Sequence, residues 1–137
     1  MAALALALAA GACSTYWPTL RGSAAAPAPD TYRCAVERVR ALGYRPVAFN
    51  EGDGDMDARR EDRTASARLP GERRQYDVLA IDAAPATAGG GGAGSTLSVR
   101  AETIVRRFTR EGWIEEGQPA SRVVQAEARQ IIERCAK

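Results

Sequence analysis

The stretch Thr96-Leu97-Ser98-Val99-Arg100-Ala101-Glu102-Thr103-Ile104-Val105-Arg106-Arg107 decides the fold. Leu97, Val99, Ala101 and Val105 share one parity, while Ser98, Arg100, Glu102 and Arg106 share the other. Successive side chains of a strand point to opposite faces, so this period of two describes a strand with one face dry and one wet. A parallel sheet covered on both sides reads as a continuous apolar run. The alternation therefore predicts an antiparallel sheet covered on one side only.

Working outward, apolar residues recur at helical spacing on both flanks. Tyr32, Ala35, Val36, Val39 and Leu42 form one stripe, and Val124, Ala128, Ile131 and Cys135 form another, widened by Val123 and Ile132. Asp30 suits the N-cap of a first helix over about Thr31 to Leu42, with Gly43 ending it in the left-handed region, and Ser121 suits the N-cap of the last helix. Between them lie Arg45 to Asn50, a Glu51-Gly52-Asp53-Gly54 turn, a returning strand Met56 to Glu61 with Met56 and Ala58 inward, and Tyr76 to Ile81, apolar on both faces. Residues 62–74 read as a polar loop. The glycines at 89–92 and 94 read as a flexible connection, not a phosphate cradle, since the lysine and Ser/Thr of a P-loop are missing. The expected fold is α+β, a two-layer sandwich in the order α-β-β-β-β-α. Both helices lie on one face of a four-stranded antiparallel sheet.

Composition narrows the function more by exclusion than by assignment. The chain has 137 residues, 19 basic and 17 acidic, with a formal charge of +2, and every basic residue but Lys137 is arginine. The charges are interleaved and do not form the concentrated basic face that nucleic-acid binding requires. There is no histidine, so Ser-His-Asp and Cys-His catalysis are impossible. The lone terminal lysine makes a serine–lysine pair implausible, and no cofactor motif is present. Asp53, Asp55 and Asp57 copy the first ligand positions of a calcium loop. The sixth position is Ala58 and the twelfth Thr64, where glycine and a bidentate glutamate belong, so the segment reads as a charged hairpin turn and no metal is expected. Glu115 and Glu116 are adjacent and point to different sides of an extended chain, which does not suit paired acid–base work.

At the N-terminus, an apolar run from Ala2 to Ala12 contains Leu4, Leu6 and Leu8 and ends in Ala9-Ala10-Gly11-Ala12 before Cys13. It is too short to cross a ~30 Å hydrocarbon core as a helix, yet suits the apolar region of a signal peptide. The stretch resembles the lipobox signal of bacterial lipoproteins. That resemblance implies removal of residues 1–12, diacylation of Cys13 and a protein tethered to a membrane, facing the periplasm. It departs from the family pattern in lacking a basic residue before the run and in carrying Ala10 where leucine is commoner. Ser14 stands where an inner-membrane retention signal would have aspartate, which leans toward the outer membrane. Residues 13–29, with Pro18, Pro27 and Pro29, read as an extended tether, and residues 30–137 as a single domain. With Cys13 lipidated, Cys34 and Cys135 remain as an even pair, which in an exported protein predicts a disulfide.

Phe108, Trp113 and Ile114 lie in a charged segment with Arg110 nearby, a composition that suits an interface anchor. The plainer reading, and the preferred one, folds Trp113 back over the core edge. The functional expectation is a non-catalytic envelope lipoprotein, an interaction or assembly accessory with an envelope protein partner. Two alternatives stay open. One is a binder of a small amphiphile between helices and sheet, which needs an unfilled apolar cavity. The other is a carboxylate-dependent hydrolase, which needs converging acids in a cleft.

Overall fold

The computed structural model describes residues 19–86 and 94–137. The elements run β1 (Thr19–Ala24), α1 (Ala28–Ala41), β2 (Arg45–Asn50), β3 (Asp55–Glu61), α2 (Arg63–Arg68), β4 (Arg74–Pro85), β5 (Ser95–Thr109), β6 (Gly112–Pro119) and α3 (Arg122–Cys135). The α+β class and the antiparallel sheet agree with the sequence. The sheet has six strands where four were expected, in the order β1-β5-β4-β3-β2, with β6 also on β5.

The 15-residue β5 is the spine of the sheet. Its inner edge pairs with β4 from Ser95↔Pro85 to Arg106↔Arg74. Its outer edge is shared, since β1 takes residues 95–100 and β6 takes residues 102–109. Leu97, Val99 and Ala101 are 0–2% exposed and face the helices, as the alternation predicts. From the neighbouring strands Met56, Ala58, Leu79, Ile81 and Ala83 join them, and Ala35, Val39, Val124, Ala128 and Ile131 press down from α1 and α3.

Five sequence expectations are corrected. Residues 19–29 are not tether: Thr19–Ala24 form β1 and α1 already begins at Ala28. Pro27 is the N-cap and Pro29 lies in the first turn, where a missing N–H costs nothing because that donor has no intrahelical partner. Asp30 is therefore inside the helix, its charge favoured by the dipole of the first turn, and it pairs with Arg33 at 3.4 Å. Residues 62–74 contain α2, capped by the Asp62 side chain accepting from the Ala65 N–H at 2.9 Å. The charged segment after Arg107 is itself sheet: β5 runs on to Thr109, and Phe108 and Trp113 pair in a β5–β6 hairpin. Finally, Val123 does not widen the α3 stripe, being 63% exposed. Ser121 caps α3 as expected, accepting from the Val124 N–H at 3.3 Å. Gly43 follows α1 at φ +85°.

The helical layer is held in two further ways. Cys34 and Cys135 stand at disulfide distance, Cα to Cα 5.7 Å, joining the last residue of α3 to the middle of α1 across 101 residues of sequence. Arg60 of β3 fills a partly buried polar pocket beneath α3. It donates to the Leu42 carbonyl, to Asp77 and to both oxygens of Glu127, at 2.8 to 3.0 Å. Its guanidinium stacks 4.3 Å from the centre of the Tyr44 ring, and the Tyr44 hydroxyl donates to Glu127 at 2.6 Å. Burial pushes the Asp77 carboxyl above its usual range despite Arg60. Removing Arg60 would leave two carboxylates uncompensated, a loss of roughly 3–5 kcal/mol.

Two stability outcomes are expected. Cys34→Ser and Cys135→Ser should each lower unfolding free energy by a similar amount, up to about 4.7 kcal/mol in the loop-entropy description, with the double variant no worse; additive losses in urea titrations would exclude a shared bridge. Gly22 of β1 lies so close to α3 that a Cβ there would stand 2.7 Å from the Ala136 Cβ and 2.9 Å from Ile132. Gly22→Val should therefore cost about 1–3 kcal/mol by calorimetry, whereas a free tether would be indifferent to it.

Candidate functional site: the open face of the sheet

The face of the sheet away from α1 and α3 is crossed by rows of side chains that the strand register defines. One row runs Arg21, Ser98, Asp82, Asp55, Asn50 from β1 to β2. The next runs Thr19, Arg100, Ala80, Asp57, Ala48. Then come Pro119, Glu102, Val78, Arg59, Arg45, followed by Gly117, Ile104, Tyr76, Glu61. Glu115, Arg106 and Arg74 form a fifth row, and Trp113 with Phe108 close the series at the hairpin. The three aspartates thus gather toward one end beside Arg21 and Arg100, four arginines stand among Glu102, Glu61 and Glu115 toward the other, and an aromatic pair stands at the tip.

At the acidic end a hollow of about 570 Å³ is lined by Asn50, Asp55, Asp57, Asp82, Thr19 and Arg100, among others. Asp55 and Asp82 are direct cross-strand partners, and like charges so placed repel. Desolvation raises the Asp82 pKa above its ordinary 3.8, the hydrogen bond and charge of Asp55 add to the rise, and Arg21 opposes it. Among the described residues no three His, Cys, Asp or Glu side chains are placed to hold a metal ion. Asp53 turns away into the hairpin, bonded to Asn50 Nδ2 at 2.6 Å.

In the middle, Val78 and Ile104 are 4% and 8% exposed although they stand on the face away from α1 and α3. Long side chains do the covering, as charged residues with apolar stems can. Arg59 reaches from β3 to Glu115 on β6 in a two-point ion pair at 2.7 and 3.0 Å, a strap over the strands between. That bond holds the Glu115 carboxyl below its usual range. Glu116, pointing the other way, pairs with Arg107 at 2.9 Å, so the two adjacent glutamates do separate as their spacing implies.

At the tip, Phe108 and Trp113 face each other edge to face, ring centres 5.2 Å apart at 64°. Both remain exposed, at 60% and 46%. Trp113 therefore does not fold back over the core, because pairing with β5 points it to the opposite side of the sheet. Arg106 lies 4.5 Å from its ring centre, in cation–π range. The same register separates the rest of the expected cluster: Ile114, opposite Arg107, is half-buried on the helix side, and Arg110 sits exposed in the hairpin turn. Cys13 lies outside the described residues. The Arg59–Glu115 strap had no sequence signal, since it joins residues 56 positions apart.

Between helices and sheet, the cavity under α3 lined by Leu20, Ala101 and Ala128 is about 30 Å³, room for a water or two and not for an amphiphile. A larger groove of about 230 Å³ opens between α1 and the β2–β3 hairpin, where Tyr32, Val36, Pro46, Phe49 and Met56 line it together with Arg33, Arg40 and Glu51. Comparison with protein-family models, curated proteins and solved structures finds no match to this chain.

Asp82→Asn should stabilise the protein at neutral pH. A raised carboxyl pKa favours the fold below the unfolded value and loses that advantage as pH rises through the folded one, so ionised Asp82 is a net cost. The gain, kept to ~0.5 kcal/mol by exposure, should shrink as pH falls and vanish below about 3.8, where Asp82 is protonated in both states. Melting temperatures from pH 3 to 7 test this; a gain independent of pH would contradict it.

Proposed function

We propose that this protein is a non-catalytic interaction module of the bacterial cell envelope. In this reading it is lipid-anchored through Cys13, faces the periplasm, and docks a protein partner on the open sheet face at the β5–β6 tip. The observation that carries the docking surface is the exposed Phe108–Trp113 pair with Arg106 stacked against it. Aromatics and arginine are the residues that supply binding energy at interfaces, and an edge-to-face pair on a hairpin is already ordered, so little freedom is lost on docking. Cys34 and Cys135 at disulfide distance fit an oxidising compartment.

The anchor reading acquires a geometric consequence from β1. Five residues lie between Cys13 and Thr19 in sequence, so the six steps reach at most about 20 Å. An acylated Cys13 would hold the β1 edge near the bilayer and leave the β5–β6 tip to meet a partner. The space beneath α3 leaves no room for an amphiphile, and the open groove beside α1 carries Arg33, Arg40 and Glu51 among its apolar residues.

Two measurements on membrane-extracted protein test it. Its intact mass should begin at Cys13 with acyl chains attached; an unmodified chain from Met1 removes the anchor. A photo-crosslinker at Trp113 should capture a partner that the same probe at exposed Gln130 on α3 does not. Equal capture from both positions would reject the tip as the docking surface.

A further inference from the structure

We propose that the basic end of the open face binds a phosphate group, held by Arg45, Arg59, Arg63 and Arg106 around a hollow of about 510 Å³ that Tyr76 also lines. The site depends on neither the lipid anchor nor a protein partner. Register sets Arg45 directly opposite Arg59, and Arg74 directly opposite Arg106. Like charges in such positions repel, and the available carboxylates relieve only part of this. Arg59 is paired with Glu115 and Arg74 with Glu61. Arg45, Arg63 and Arg106 have no carboxylate partner within salt-bridge distance among the described residues.

A second observation is independent of the charge count. The Nε atoms of Arg59 and Arg106 are buried and have no acceptor among the described residues. Buried donors are nearly always satisfied in folded proteins, and both of these belong to arginines lining the hollow. An oxyanion there screens the facing guanidinium groups from one another, and a small rotation of either side chain would turn its Nε–H to the anion. Glu61 also lines the hollow but is paired with Arg74, and Glu115 opposite Arg106 is paired with Arg59. The remaining excess of arginine matches a phosphate better than a singly charged carboxylate, and the planar guanidinium fork suits phosphate oxygens in pairs. A free phosphate and the phosphate of a lipid headgroup offer the same chemistry.

Trp113 provides the readout, because Arg106 stacks on its ring. In full-length protein carrying Trp17→Phe, sodium phosphate should change Trp113 emission saturably, with a midpoint near ~1 mM, while sodium chloride of equal ionic strength does not. Arg45→Gln should weaken the response about tenfold or more. Arg45 is exposed, so an unchanged melting temperature in chloride is expected of that variant; Arg106→Gln, read by calorimetric titration, is the second test. In parallel, sedimentation with phosphatidic acid vesicles compares wild type with Arg45→Gln, which share the same N-terminus. A saturable phosphate response lost in the variants supports a site for free phosphate. Silence toward free phosphate with vesicle binding weakened about tenfold by Arg45→Gln supports a headgroup site. A response reproduced by chloride, or binding indifferent to both substitutions in both arms, overturns the proposal.

Discussion

One strand must bury one face, pair along both edges and still leave its other face in water, and the rest of the molecule follows from how β5 meets that requirement. Leu97, Val99 and Ala101 exclude water only if helices cover them, which places α1 and α3 on one side. Fifteen residues of unpaired outer edge would expose a row of backbone donors and acceptors. The edge is divided between β1 and β6, which meet near Ala101. The chain therefore enters the sheet at mid-edge, and the hairpin that carries Phe108 and Trp113 extends beyond the last β4 pairing at Arg74.

The helical layer over β5 has two fastenings of different chemistry. The Cys34–Cys135 link acts mainly on the unfolded chain, by restricting its freedom. The Arg60 cluster acts on the folded state, joining β3, β4, α3 and the end of α1 through charged groups that satisfy each other only in this arrangement. An ion cluster adds less stability than apolar packing of the same volume would, but misplacing it is costly. It thus discriminates against shifted packings of α3 on the sheet.

The covered face was readable in advance because burial leaves a periodic trace. Met56, Ala58, Leu97, Val99, Val124, Ala128 and Ile131 were all assigned inward by spacing alone, and all are buried. The edge strands left no such trace. β1 carries Gly22 at a close approach to α3, and β6 carries Glu115, Glu116, Gly117 and Pro119. Edge strands with one neighbour and mostly polar side chains look like loops in a linear text. The prolines at 27 and 29 misled for a related reason: they mark a tether or a helix start, depending on whether a core waits to receive the helix.

The sequence by itself determined the class of fold, the two long helices with their inward stripes, the strand alternation and the pairing of the two domain cysteines. It also placed Phe108 and Trp113 among the residues of interest. Tertiary structure alone decided that they stack on the open face while Ile114 points away, that Arg59 straps across to Glu115, and that Arg45, Arg59, Arg74 and Arg106 collect at the end of one surface away from Asp55, Asp57 and Asp82. Periodicity reports how each residue stands relative to its own strand. Which residues become neighbours across strands depends on register, and register is fixed by packing between segments far apart in the chain.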